Sequence, residues 1–129
     1  MENRHKYPER LKVSTQDAEH FYERCDEAEA SRQKPRYALA KGAPPSDPTG
    51  DVLVRFAEGL AATDHAKSLQ LAGYKIVQEL PWAKQAVIVR AASNSLADTL
   101  NKIAGLEGIP GVENVEPQMV SARAKRGGF

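Results

Sequence analysis

The sequence predicts an α+β domain of ferredoxin-like type, βαββαβ, with a four-stranded antiparallel sheet and two helices on one face. Three observations predict it. Four short runs rich in β-branched and apolar residues are spread over residues 52–116, two runs with helical apolar spacing separate them, and 129 residues of which 41% are apolar allow one modest core.

The first run, Val52-Leu53-Val54-Arg55-Phe56, closes on the turn-like Ala57-Glu58-Gly59. Thr63 or Asp64 then caps a helix with Ala66, Leu69 and Ala72 on its apolar face, and Gly73 stands at its C-terminal cap. Residues 74–80 alternate at period two. Pro81-Trp82 breaks the pattern before the third strand, Ala86-Val87-Ile88-Val89-Arg90-Ala91. Ser93 caps the second helix, whose Leu96, Leu100, Ile103 and Leu106 share one face, and Gly108-Ile109-Pro110-Gly111 ends it. Val112 to Glu116 forms the fourth strand.

Upstream the texture differs. Ser14 or Thr15 caps a predicted helix through about Gln33, with Ala18, Phe21, Tyr22, Cys25 and Ala28 on a narrow apolar stripe opposite an acidic face. Five of the eight prolines fall in the first 50 residues, and Lys41 to Gly50 has no apolar periodicity, which reads as an extended linker. The expected organisation is therefore an N-terminal extension over 1–50, a folded domain over 51–120 and a tail over 121–129.

Charge and cysteine content narrow the function classes. With 18 Lys plus Arg against 17 Asp plus Glu, the formal net charge of +1 supplies no global field for nucleic acid or an anionic membrane. The start, MENRHKYPERLKV, is charged throughout and no apolar run is long enough to span a bilayer, so a cytoplasmic setting is expected. One cysteine excludes an internal disulfide framework. Cys25 among acidic neighbours reads as a packing residue rather than a nucleophile. His5, His20 and His65 lie apart without metal-ligand spacing, and neither a phosphate loop nor a dinucleotide fingerprint occurs. No enzyme, cofactor or metal is expected.

Four segments carry a family resemblance: Gly50 to Phe56, Gly73 to Leu80, Ala86 to Val89, and Ile109-Pro110-Gly111-Val112-Glu113-Asn114-Val115-Glu116-Pro117. Together they resemble the propeptide inhibitor family of subtilisin-like serine proteases over about residues 51 to 124, and Pro-Gly-Val-x-x-Val-Glu-Pro is the most specific part. The resemblance implies a domain that packs its sheet face on a subtilase, assists its folding, and fills its cleft with the residues that follow the last strand. Ser121, Ala122, Arg123 and Ala124 then stand where the family places the four residues before the cleaved bond, with Val120 leading into them. An extended segment of this kind binds by backbone hydrogen bonds, with alternate side chains in pockets. Glu116 matches a carboxylate that caps helix N-termini of the enzyme, and Gln118 stands where an aspartate is common.

Since the chain stops at Phe129 with no catalytic domain, the resemblance implies action in trans on a separately encoded protease, as a monomer when free. The alternative reading is a ferredoxin-like adaptor or ligand-binding regulatory module with no protease partner. Within it, RNA recognition is disfavoured because the central strands offer Phe56 but no second stacking aromatic.

Overall fold

A computed structural model of the chain describes residues 7–14, 18–25, 36–39 and 45–121. Strand is the dominant element. In chain order these are β1 (Arg10–Ser14), β2 (Glu19–Arg24), β3 (Tyr37–Ala38), β4 (Ser46–Phe56), a 3-10 turn (Ala62–His65), α1 (Ala66–Leu71), β5 (Tyr74–Glu79), β6 (Ala86–Ala91), α2 (Leu96–Asn101), α3 (Ile103–Glu107) and β7 (Val112–Ser121). The four-stranded ferredoxin-like reading is thereby corrected. One antiparallel sheet of seven strands runs β1-β2-β3-β4-β6-β5, β7 pairs with β4 off that path, and the whole curls into a half-barrel with only short helices.

The physical reason lies in two segments that sequence periodicity misassigned. Residues 19–24 form β2, hydrogen-bonded to β1 in the register Leu11↔Tyr22 and Lys12↔Phe21, and not the helix expected from Ser14. A strand sends successive side chains to opposite faces. Phe21 and Tyr22 therefore separate: Tyr22 packs on the core, whereas Phe21 is exposed and lies under the Arg10 guanidinium at 5.4 Å. Cys25 is exposed just after β2. Ala28 and the remainder of that predicted helix, to Gln33, lie outside the described residues. The apolar alternation of Leu11 and Val13 around Lys12 is the signal that marks β1, and both are buried.

The second segment is the presumed linker. Lys41 to Pro44 lie outside the described residues, but Ser46 to Gly50 are the first half of β4, which crosses the expected boundary at residue 50. Pro48 and Gly50 hide the strand pattern and also explain its geometry. The pairing with β7 slips between Pro48 and Val52, and Gly50 takes φ +94° there, a conformation cheap only for glycine. A proline without N–H is tolerated at such a bulge.

Beneath the sheet a single core joins both parts of the chain. Leu11 of β1 and Tyr37 of β3 belong to the same buried cluster as Val52, Val54 and Phe56 of β4, Val87 and Val89 of β6, and Leu100, Ile103 and Leu106 of the helices. Tyr37 is fully buried and donates its hydroxyl to the Pro8 carbonyl at 2.6 Å, which ties the N-terminal segment to β3. At the other end β1 lies against β7 and α3, where Lys12 Nζ meets the Glu107 carboxylate at 3.1 Å and that of Glu19 at 3.6 Å. Glu107, Glu19 and their hydrogen bonds hold the Lys12 ammonium above its ordinary pKa, with Glu107 the larger influence.

The helices are shorter than their periodicity suggested. Leu100, Ile103 and Leu106 are buried on one face, but the helix interrupts at Lys102 into α2 and α3. Its N-cap is Ser95, whose side chain accepts from the Asp98 amide at 3.1 Å; Ser93 instead donates to the Asp98 carboxylate at 2.7 Å. Neither Thr63 nor Asp64 caps the first helix, because the chain enters through a 3-10 turn with Ala61 at its N-cap and no side-chain hydrogen bond there. Tyr74, fully buried, donates its hydroxyl to the Thr99 carbonyl, and Thr99 Oγ1 accepts from the Ala91 amide at 3.1 Å. This pair of bonds fastens α2 to β5 and β6. Among the described residues no helix is long and apolar enough to cross a membrane.

Candidate functional site

The candidate site is the outer face of the sheet where β4, β6 and β7 run side by side. Residues directly opposite in an antiparallel ladder share a face. Val52, Val54 and Phe56 of β4 are buried towards the core, so Asp51, Leu53 and Arg55 look outward and are half-buried. The register Leu53↔Ile88 and Leu53↔Glu116 places Ile88 of β6 and Glu116 of β7 on either side of Leu53. An apolar centre, Leu53 with Ile88, is thus rimmed by Glu116, Arg55 and Arg90.

The rim charges are not equivalent. Arg90 is held by Asp51 across the β4 to β6 ladder, with Nη2 at 2.7 Å and Nε at 2.9 Å from the same carboxylate oxygen. Arg55 stands opposite Ala86 on one side and Asn114 on the other, and makes no salt bridge among the described residues. A guanidinium with free donors beside an apolar centre suits a carboxylate brought by another molecule.

Three of the residues singled out from the sequence fall on this face. Glu116, Gln118 and Val120 alternate with the core-facing Val115, Pro117 and Met119 along β7. Gln118 does not reach away from the protein: its Nε2 donates to the Glu116 carbonyl at 3.0 Å, and its own carbonyl accepts from Thr49 Oγ1 at 3.0 Å. These two bonds serve backbone carbonyls beside the β4 bulge, where the ladder is interrupted. Val120 pairs with Asp47 and Ser121 with Ser46, so β7 continues as an integral strand through Ser121. The fourth strand expected over Val112 to Glu116 is thus about twice as long, because its second half finds a partner in the first half of β4. Ala122, Arg123 and Ala124 lie outside the described residues.

Among the described residues no strand pairs with the edge of β7 away from β4, and that edge is guarded. Phe56 N donates to Gln85 O at 2.7 Å beside β6, and Ala57 N donates to Gly111 O at 2.8 Å beside β7. Peptide groups alternate sides along a strand. Leu53 and Arg55 therefore bond towards Glu116 and Asn114, and the backbone groups of Val115, Pro117 and Met119 point away from β4. At Pro117 that edge presents no N–H. A proline on an edge strand blocks the regular addition of another strand. A partner on this face would therefore meet side chains of the sheet rather than the backbone ladder of β7.

Among the described residues no group of three or more His, Cys, Asp or Glu side chains could hold a metal ion. His65 stacks on the buried Phe56 at 4.4 Å, and its Nδ1 lies 3.2 Å from the Ala61 carbonyl, an arrangement that packs the 3-10 turn. Sequence reasoning missed Leu53, Ile88 and Arg55 as site residues. The signal was present in the alternation of β4, but the face it pointed to was set only by strand pairing. No protein-family profile, no curated protein and no solved structure matches this chain.

Proposed function

We propose that this chain is a non-catalytic protein-binding module that acts in trans as an inhibitor and folding helper of a separate subtilisin-like serine protease. The observation that carries the reading is the placement of Glu116, the carboxylate demanded by the resemblance, on the rim of a half-exposed apolar sheet face beside Leu53. A seven-stranded antiparallel sheet supports that face, and a surface formed before binding lowers the entropic cost of association. The partner would cover Leu53 and Ile88, present donors to Glu116 and offer a carboxylate to Arg55. In this reading Ser121 ends β7, and Ala122, Arg123 and Ala124, which follow it in sequence, are the residues that would occupy the protease cleft.

The test is titration of purified subtilisin-like proteases with the chain, read by hydrolysis of a chromogenic peptide and by refolding yield of the denatured protease. Inhibition at micromolar concentration is expected, and Leu53→Glu should weaken it at least about tenfold, the usual effect of a lost central contact, at unchanged melting temperature. Full protease activity and unchanged refolding yield at micromolar excess of the chain would overturn the proposal.

A further inference from the structure

The end of the sheet opposite Ser121 carries a second surface that the proposed function does not use. The β5 to β6 turn projects Trp82, 77% exposed, from a short helix-free connection. Directly beside it lies a groove of about 340 Å³ lined by Ala61, Leu80, Pro81 and Val87, with Glu79 and Lys84 among its walls. It adjoins a second hollow of about 440 Å³ through Ala61 and Lys84, where Leu60 is also exposed. A large aromatic left in water next to an open apolar groove is an unpartnered surface.

We propose that this end of the sheet is a self-association surface, on which Trp82 of one copy enters the Leu80 and Pro81 groove of a second copy and the second reciprocates. Two features select another copy of this chain as the occupant. A two-fold interface requires one patch to contain both the projection and its receptor, because each residue meets its counterpart's partner. Here Pro81 lines the groove and Trp82 follows it in sequence, so the projection and the hollow share one rim. The charges satisfy the same condition. Glu79 and Lys84 flank one groove, and the two-fold operation can place Lys84 of each copy against Glu79 of the other.

Size sets the expected strength. An aromatic side chain buries about 150 to 250 Å², so two indoles with the groove walls they cover bury up to about 1,000 Å². That is the low end for a specific contact. The dimer is therefore weak, and at high concentration it replaces the monomer expected from the sequence.

Trp82 is the only tryptophan of the chain, so its emission reports on this contact alone. Sedimentation equilibrium across about 1 to 500 µM should show monomer passing to dimer, with the emission maximum moving to shorter wavelength as concentration rises. Trp82→Ala should weaken association at least about tenfold with an unchanged circular-dichroism spectrum. Lys84→Glu should weaken it as well, and the double variant Glu79→Lys with Lys84→Glu should restore it. A monomer with solvent-like emission over the whole range would overturn the proposal. Dimerisation that persists undiminished in Trp82→Ala, or a charge swap that fails to restore it, would do the same.

Discussion

Replacing Leu11 by alanine asks whether the N-terminal hairpin is part of the fold or an appendage to it. Leu11 lies on β1, far in sequence from the helices, yet it is 2% exposed and belongs to the same buried cluster as Val54, Leu106 and Val115. Truncating a buried leucine removes its transfer free energy and leaves a cavity, together about 2 to 5 kcal/mol. β1 ends the β1-β2-β3 path of the sheet and can relax towards the gap, which places the cost in the lower half, about 2 to 3 kcal/mol. For a chain of this length that corresponds to a fall in melting temperature of about 8 to 12 °C. Urea unfolding followed by circular dichroism is the assay, with Leu71→Ala as the control. Leu71 is 81% exposed on α1 and should cost less than about 0.5 kcal/mol. The Leu11 variant should unfold in one transition with its midpoint lowered and its slope unchanged. A midpoint equal to that of Leu71→Ala would show that β1 contributes nothing to the core, and the continuity of the sheet from β1 to β5 would be refuted.

Two further outcomes follow from local geometry. Gly111 takes φ +93° at the entry to β7, and an added Cβ would lie 2.9 Å from Leu60 Cδ1; Gly111→Ala should lose about 1 to 2 kcal/mol in the same urea assay, most of it backbone strain because the exposed Leu60 can move aside. Alkaline pH should unfold the protein through Tyr74. Burial first, then the Asp98 carboxylate, raises its phenol well above the ordinary value of 10.0. A raised folded-state pKa means stability that is complete below pH 10 and declines as pH rises towards the folded value. Lys12, held above its ordinary 10.5 chiefly by Glu107, acts in the same direction. Thermal melts between pH 8 and 11 should fall more steeply for the wild type than for Tyr74→Phe; parallel curves would sink the assignment.

Within the C-terminal part of the chain, local signals carried most of the secondary structure. Val52 to Phe56 alternate because one face of β4 meets the core, and Leu100, Ile103 and Leu106 recur at helical spacing for the same reason. Lys102 shows where such signals stop, since an apolar stripe can continue across an interruption of the backbone helix. The outer residues of the candidate face were legible one strand at a time, Glu116 in β7 and Leu53 in β4. That they adjoin Ile88 follows from register, which couples residues some 30 to 60 positions apart and leaves no mark on either segment alone.

By itself the sequence determined that the chain has material for one core, lacks a disulfide framework, and repeats apolar residues at strand or helix spacing in β1 and in much of the C-terminal part. Only the tertiary structure decided that residues 19–24 are strand, that β4 begins at Ser46, and that β7 remains bound to β4 through Ser121. The reason is the same in each case. A segment whose own preference is weak takes the conformation that pairs its backbone and buries its few apolar groups, and the partner strand that supplies both lies elsewhere in the chain.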